Sequence, residues 1–206
     1  MGGIMSLILQ GSTSGSVTLQ EPAVAGTTVL DLPAVSGTIL TTTSPKTGNV
    51  LQVVSTAKTD TFSESVASGG TSGDVTGLTA AITPSATSSK VLVNFTVSVA
   101  ISGAVQGAFV KLYRGGSLLS SANGNTAGNR TPTSASVNIE TNSIVVTACF
   151  TFLDSPSSTS SLTYSVRLSH SSGGTRTVYV NRSEADSDTS DFPRAASTIT
   201  VMEIAG

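Results

Sequence analysis

The longest regular pattern in the chain is residues 90–101 (KVLVNFTVSVAI), where apolar and small polar residues alternate. Successive side chains of a β-strand point to opposite faces, so a period of two predicts a strand with one buried face. We expect that face to carry Val91, Val93, Phe95, Val97, Val99 and Ile101. Residues 197–204 (STITVMEI) alternate in the same way and predict a closing strand.

The rest of the chain from residue 46 onward also predicts strands separated by turns. The 3.6-residue period of an amphipathic helix is absent, and about eight to ten short strands at this spacing are typical of an antiparallel β-sandwich or jelly roll. Arg114-Gly115-Gly116 predicts a hairpin turn, and residues 171–175 (SSGGT) predict a second one. The other predicted strands are residues 50–56, 78–83, 108–113, 117–119, 162–169 and 177–181, with two more inside 136–153.

Charge is scarce in this chain. Only 11% of the residues are charged, the net charge is −2 and 38% are hydrophobic. This composition argues against a disordered chain and predicts a surface of hydroxyls that is shared with partners, hence an oligomer. The cationic residues are scattered, so no nucleic-acid partner is expected. Because no apolar run reaches about 18 residues, we expect no membrane insertion.

The first 45 residues differ from the rest. Residues 19–26 (LQEPAVAG) and 30–37 (LDLPAVSG) form a near-repeat, in which each unit predicts a short strand stopped by Pro and followed by a Gly turn. Two such units are too few to form a stable array alone. We therefore predict an extended, β-rich attachment segment at 1–45 and a knob domain at 46–206.

Residues with catalytic potential are few. There is one histidine, His170, which we interpret as a turn residue, and one cysteine, Cys149, which lies in an apolar run and is expected to be buried. The acids of residues 184–191 (EADSDTSD) lie in a predicted loop rather than on facing strands, as a pair of glycosidase carboxylates would. That loop lacks the turn Gly and the terminal Glu of a calcium loop, so whether it binds calcium stays open. We expect no enzyme activity, no cofactor and no metal site.

Two polar loops, residues 120–134 and 184–194, are the candidate recognition surfaces. Amides and hydroxyls on such loops can hydrogen-bond the hydroxyls of a saccharide, and the alternative is that both loops are solvent-facing connections. The candidate residues are Asn123, Asn125, Asn129, Arg130, Asp186, Asp188, Phe192 and Arg194.

Several stretches resemble knob domains of bacteriophage proteins of the tail-fibre type. They are residues 48–54 (GNVLQVV), 58–62 (KTDTF), 78–84 (LTAAITP), 88–93 (SSKVLV) and 197–204, while 18–23 (TLQEPA) and 32–38 (LPAVSGT) resemble the tracts that precede such knobs. The order of predicted strands is similar to that of the trimeric jelly rolls of the C1q and tumour-necrosis-factor type. The resemblance implies a homotrimer and supplies no catalytic residues.

The expected function is a structural protein of the virion, with two readings. In the first, it is a short fibre or tail-fibre-type knob that contacts the host surface, attached through residues 1–45 to a tail adaptor. In the second, it is a capsid decoration, cement or head-fibre protein whose residues 1–45 bind the major capsid protein. A sugar-cleaving appendage and an unrelated β-sandwich binding module are the remaining alternatives.

Overall fold

The computed structural model describes residues 6–20, 45–103 and 106–206. The chain forms two compact units, Met1–Ile39 and Leu40–Gly206. In the first unit, an antiparallel hairpin joins β1 (Ser6–Gln10) to β2 (Ser16–Gln20). The repeat predicted at 19–26 and 30–37 lies outside the described residues, apart from Leu19 and Gln20 in β2.

The described residues of the second unit form eleven strands and one short 3-10 helix, which confirms the predicted all-β class. The 3-10 helix spans Ser120–Ala122. The strands are β3 (Val50–Lys58), β4 (Phe62–Val66), β5 (Thr79–Ile82), β6 (Lys90–Ile101), β7 (Gln106–Arg114), β8 (Ser117–Leu118), β9 (Ala135–Ile139), β10 (Val146–Asp154), β11 (Leu162–His170), β12 (Arg176–Val180) and β13 (Ser197–Ile204).

These strands form two antiparallel sheets. In the first sheet, β6 pairs with β10 along one edge, and along the other edge with β13 and then with β12. The outer neighbours there are β3, beside β13, and β4, beside β12. In the second sheet, β11 lies between β5 and β7, and β7 pairs on its far edge with β8 and β9. The arrangement is a jelly-roll-like β-sandwich.

The core lies between the two sheets and is built from alternate residues of each strand. The predicted inner face of β6 is confirmed, because Val91, Val93, Phe95, Val97, Val99 and Ile101 are all buried. Val110, Leu112, Val166 and Leu168 of the second sheet belong to the same buried cluster. The rings of Phe95 and Phe150, on neighbouring strands, lie 5.8 Å apart between centroids.

The predicted hairpin at Arg114-Gly115-Gly116 is confirmed as the turn between β7 and β8. Tyr113 lies opposite Leu118, and the two glycines have φ values of +57° and +77°. Positive φ at both central residues is the requirement of a type I′ turn, and glycine meets it without steric cost.

The hairpin predicted across residues 171–175 is wrong. β11 and β12 lie in different sheets, because β11 pairs with β5 and β7 whereas β12 pairs with β4 and β6. The Gly- and Ser-rich connection therefore carries the chain from one sheet to the other. A Gly- and Ser-rich composition is compatible with a hairpin turn and with a crossing between sheets. Which of the two forms depends on the strands with which β11 and β12 pair.

The expected burial of Cys149 is also wrong, since its side chain is exposed. Its neighbour Ala148 is buried, and the alternation of β10 puts Cys149 on the opposite, outer face. Residues 144–150 (IVVTACF) are mostly apolar, so the sequence does not show which of them alternate between the inner and the outer face.

A buried carboxylate fastens the connection after β5 to the first sheet. Glu203 on β13 is 1% exposed. It accepts hydrogen bonds from the backbone N–H and the Oγ of Ser85, at 2.7 and 2.6 Å, and from Ser89 Oγ and Gln52 Nε2, both at 2.7 Å. Burial alone would raise the pKa of Glu203, but these hydrogen bonds outweigh it and hold the pKa below its ordinary value.

We predict that Glu203→Gln lowers the melting temperature at pH 7, because the amide turns an NH₂ group toward donors that the carboxylate had accepted from. Because the pKa of Glu203 is lower in the folded than in the unfolded protein, its ionised form stabilises the fold. This stabilisation is complete above the unfolded-state pKa of about 4.3, and it is lost as pH falls through the folded-state pKa. The difference in melting temperature between parent and variant, measured by thermal denaturation, should therefore become smaller from pH 7 to pH 3. Glu140→Gln, at an exposed position, is the control, and a gap that stays constant with pH would contradict the role of the carboxylate.

We also predict that Val97→Asp destabilises the fold by about 3 kcal/mol or more, because it buries an unpaired charge in the core. Denaturant unfolding measures the loss, and Thr163→Asp, on an exposed position of β11, should stay close to the parent. Parent-like unfolding of Val97→Asp would mean that the register of β6 is wrong.

Candidate functional site

The loop of residues 120–134 connects β8 to β9 and divides into an anchored base and an exposed tip. Asn123 belongs to the base: its Nδ2 donates to the carbonyl of Leu119 at 2.8 Å, and its Oδ1 accepts from Ser134 Oγ at 3.2 Å. Asn125, Asn129 and Arg130 are exposed at the tip. The side chain of Asn123 is thus engaged within its own loop, whereas the other three remain accessible to a ligand.

The loop of residues 184–194 connects β12 to β13 and is organised around Asp186. Arg194 forms an ion pair with this carboxylate, and Arg182 Nη1 lies 3.3 Å from it. The guanidinium of Arg182 also lies 4.8 Å from the centroid of the Tyr179 ring. Asp188 is exposed and Phe192 is half-buried. Two of the four candidate residues in this loop therefore neutralise each other.

The two loops do not converge on one site. The 120–134 loop follows β8, which pairs with Tyr113 and Arg114 at the end of β7. The 184–194 loop instead contacts the other end of the sandwich: the N–H of Gly103 donates to Glu184 Oε2 at 2.9 Å, and the N–H of Ala185 donates to the carbonyl of Asn142 at 3.1 Å. Within the described ranges, no hydrogen bond or ion pair joins the loops.

The buried titratable side chains are engaged with neighbouring residues of the fold. His170, predicted to lie in a turn, is the buried last residue of β11; its Nδ1 accepts from the N–H of Ser172 at 3.2 Å, so Nε2 donates to the carbonyl of Val66 at 2.9 Å. Asp154 accepts from Tyr164 Oη at 2.6 Å and pairs with Arg114 at 2.5 Å. Burial, together with the neighbouring Asp154, raises the pKa of Tyr164 far above its ordinary range.

Two further features are absent from the described residues. No group of three or more His, Cys, Asp or Glu side chains could hold a metal ion there. Nor is any helix in those residues long and apolar enough to cross a membrane.

The outer face of the first sheet has an ordered pattern that sequence reasoning missed. The register aligns one outward residue from each of β3, β13, β6 and β10 into rows across the sheet. An apolar row contains Val53, Met202, Leu92 and Leu153; a polar row contains Ser55, Thr200, Asn94 and Thr151; a third row contains Ala57, Thr198, Thr96 and Cys149. We call this surface, with Val50 and Ile204 at its end, the row face.

The row face is nearly free of charge. Of the charged residues in its four strands, Lys58, Asp154 and Glu203 are buried, which leaves Lys90 as the one exposed charge. Val50, Val53 and Leu153 are 54%, 55% and 47% exposed. The alternation of each strand signals an outward face, but the alignment of four outward residues depends on pairings between distant parts of the chain.

Comparison with known proteins adds no relative: no protein-family model matches the chain, and no curated protein shows significant sequence similarity to it.

We predict that Asn123→Ala destabilises the protein by about 1–2 kcal/mol, because it removes the hydrogen bonds of the Asn123 amide to the carbonyl of Leu119 and to the hydroxyl of Ser134. Asn125→Ala is the matched control at an exposed position of the same loop and should change stability by less than about 0.5 kcal/mol. Urea unfolding measures both variants. Equal stabilities would show that Asn123 does not anchor the loop.

Proposed function

We propose that the protein is a non-enzymatic structural component of a bacteriophage particle, and that three copies associate through the row face. The observation that carries the proposal is the row face itself, an exposed and nearly uncharged sheet surface with an apolar row across four strands. Exposed apolar surface of this kind is characteristic of contacts between proteins. Because Lys90 is the one exposed charge of these four strands, a second copy meets little electrostatic repulsion there.

The polar row favours association as well. Ser55 Oγ and Thr200 Oγ1 share a hydrogen bond of 2.8 Å, and Asn94 Nδ2 donates to Thr151 Oγ1 at 2.7 Å. These groups already have partners within the chain, so covering them leaves fewer polar groups unsatisfied. A dry contact between copies therefore costs less here than on a surface of unpaired hydroxyls.

The jelly-roll-like sandwich is compatible with the resemblance to trimeric knobs of the C1q and tumour-necrosis-factor type, and the resemblance to phage knobs rests on the strand motifs of the sequence. The absence of catalysis is proposed because the buried acids are used structurally: Asp154 pairs with Arg114, and Glu203 binds serine and glutamine side chains.

Two locations on the particle fit this proposal: a fibre knob at the tail, or a decoration of the head attached through residues 1–45. Electron micrographs of particles that carry a labelled copy separate them, since the label lies at the tail in the first case and on the capsid in the second.

We predict a solution mass of three times 20.6 kDa for the purified chain, measured by light scattering after size exclusion. Val53→Glu should reduce the mass to that of one chain, because it places a charge in the apolar row of each copy. The position is largely exposed within one chain, so the fold should persist.

Leu118→Glu is the matched control, because Leu118 is also exposed but lies on β8 of the second sheet. It should leave the mass unchanged. A monomeric parent would overturn the trimer, and a trimeric Val53→Glu would overturn the assignment of the row face.

A further inference from the structure

The outer face of the second sheet differs in chemistry from the row face. Outward residues along β7 are Gly107, Phe109, Lys111 and Tyr113, alternating with buried Ala108, Val110 and Leu112. On the neighbouring strand β11, Arg167 lies directly opposite Lys111. The cations Lys111 and Arg167 are therefore direct cross-strand neighbours, and Phe109 and Tyr113 flank Lys111 along β7. Like charges at directly opposite positions destabilise the pairing of two strands unless each charge is compensated.

Arg167 is compensated within the fold. Its Nε lies 2.7 Å from Asp74 Oδ1, and its guanidinium lies 4.1 Å from the centroid of the Tyr113 ring. Asp74 also accepts a hydrogen bond from Ser165 Oγ at 2.7 Å, which fixes the carboxylate in place. Arg167 therefore needs no further anion.

Lys111 has no such compensation. Its Nζ donates to Thr71 Oγ1 at 3.2 Å, and among the described residues no carboxylate pairs with it. Lys46 and Lys90 also form no ion pair within the described part of the chain, but both are exposed, whereas Lys111 is half-buried. Burial lowers the pKa of Lys111. The ammonium group has thus lost part of its hydration without gaining a counter-charge, and a ligand anion would supply one.

Phe109 supplies an apolar ring on the same outward face of β7 as Lys111. A Cβ at position 107 would lie 3.1 Å from Cε1 of Phe109, so glycine there leaves room for the ring. The N–H of Gly107 donates to Ser171 Oγ at 3.0 Å. The half-buried Phe109 ring therefore lies two residues along β7 from Lys111, on the same face.

We propose that Phe109, Lys111 and Thr71 form a binding site for an acidic saccharide. The Lys111 ammonium group pairs with the carboxylate of the sugar, the Phe109 ring packs against the apolar face of the sugar ring, and the Thr71 hydroxyl binds a sugar hydroxyl. A charged hydrogen bond with an aromatic platform is a common combination in ligand sites. The identification of the saccharide as part of a host surface rests on the proposed function; the site itself does not.

The experiment titrates the full chain with a hexuronic acid trisaccharide and with its carboxyl-reduced, neutral counterpart, followed by NMR shift changes. We expect the acidic sugar to bind at least about tenfold more tightly than the neutral one, a difference of about 1.4 kcal/mol. Lys111→Met, which keeps most of the apolar stem, should weaken binding of the acidic sugar at least about tenfold. Phe109→Ala should weaken binding of both sugars.

Lys90→Met is the matched control, because it removes one unpaired lysine from the first sheet. It should leave the affinity unchanged. The affinity of the parent should fall as pH rises and Lys111 loses its proton. Equal affinity for the two sugars, an equal loss with Lys90→Met, or no binding of the acidic sugar would overturn the site.

Folding of the variants is checked by thermal denaturation, and Lys111→Met should melt no lower than the parent because it removes an uncompensated charge. The oligomeric state is measured in the same samples. A monomer that binds the acidic sugar overturns the trimer and supports the site, whereas a trimer that does not bind overturns the site alone.

Discussion

The rest of the sandwich depends on the burial of one side of β6. This strand is the longest in the described chain, and it pairs with β10 on one edge and with β13 and β12 on the other. Its inner face, from Val91 to Ile101, is closed from solvent by the second sheet. A shift of one residue would turn that apolar set outward, so the register of β6 is strongly specified and sets the register of its three partners.

The outer faces of the two sheets then acquire different chemistry. On the first sheet, the same register aligns apolar and hydroxyl side chains into the row face, which has one exposed charge, Lys90. On the second sheet, Lys111 and Arg167 lie opposite each other near two aromatic rings. The first surface suits contact with another copy of the chain, and the second suits a small anionic ligand. The two proposed roles therefore occupy separate faces.

Buried polar groups hold the connections between strands. Glu203 binds the segment after β5. Asn181, at φ +62°, donates to the carbonyls of Lys58 and Asp60 and accepts from Ser197 Oγ at 2.6 Å. Each such group is costly to leave without a hydrogen-bond partner in the interior, so these bonds favour one position of each loop.

The sequence by itself determined the features that depend on local pattern: the all-β class, the bounds of β6 and β13, the buried face of β6, and the β7–β8 hairpin with its two glycines. The tertiary structure alone decided the sheet to which β12 belongs, the outward position of Cys149, the anchoring of Asn123 and the separation of the two candidate loops. It also decided the alignment of the row face and the lack of a counter-charge for Lys111 among the described residues. The physical reason is that a period of two and a turn composition are properties of adjacent residues, whereas strand partners, facing charges and satisfied amides depend on residues far apart in the chain.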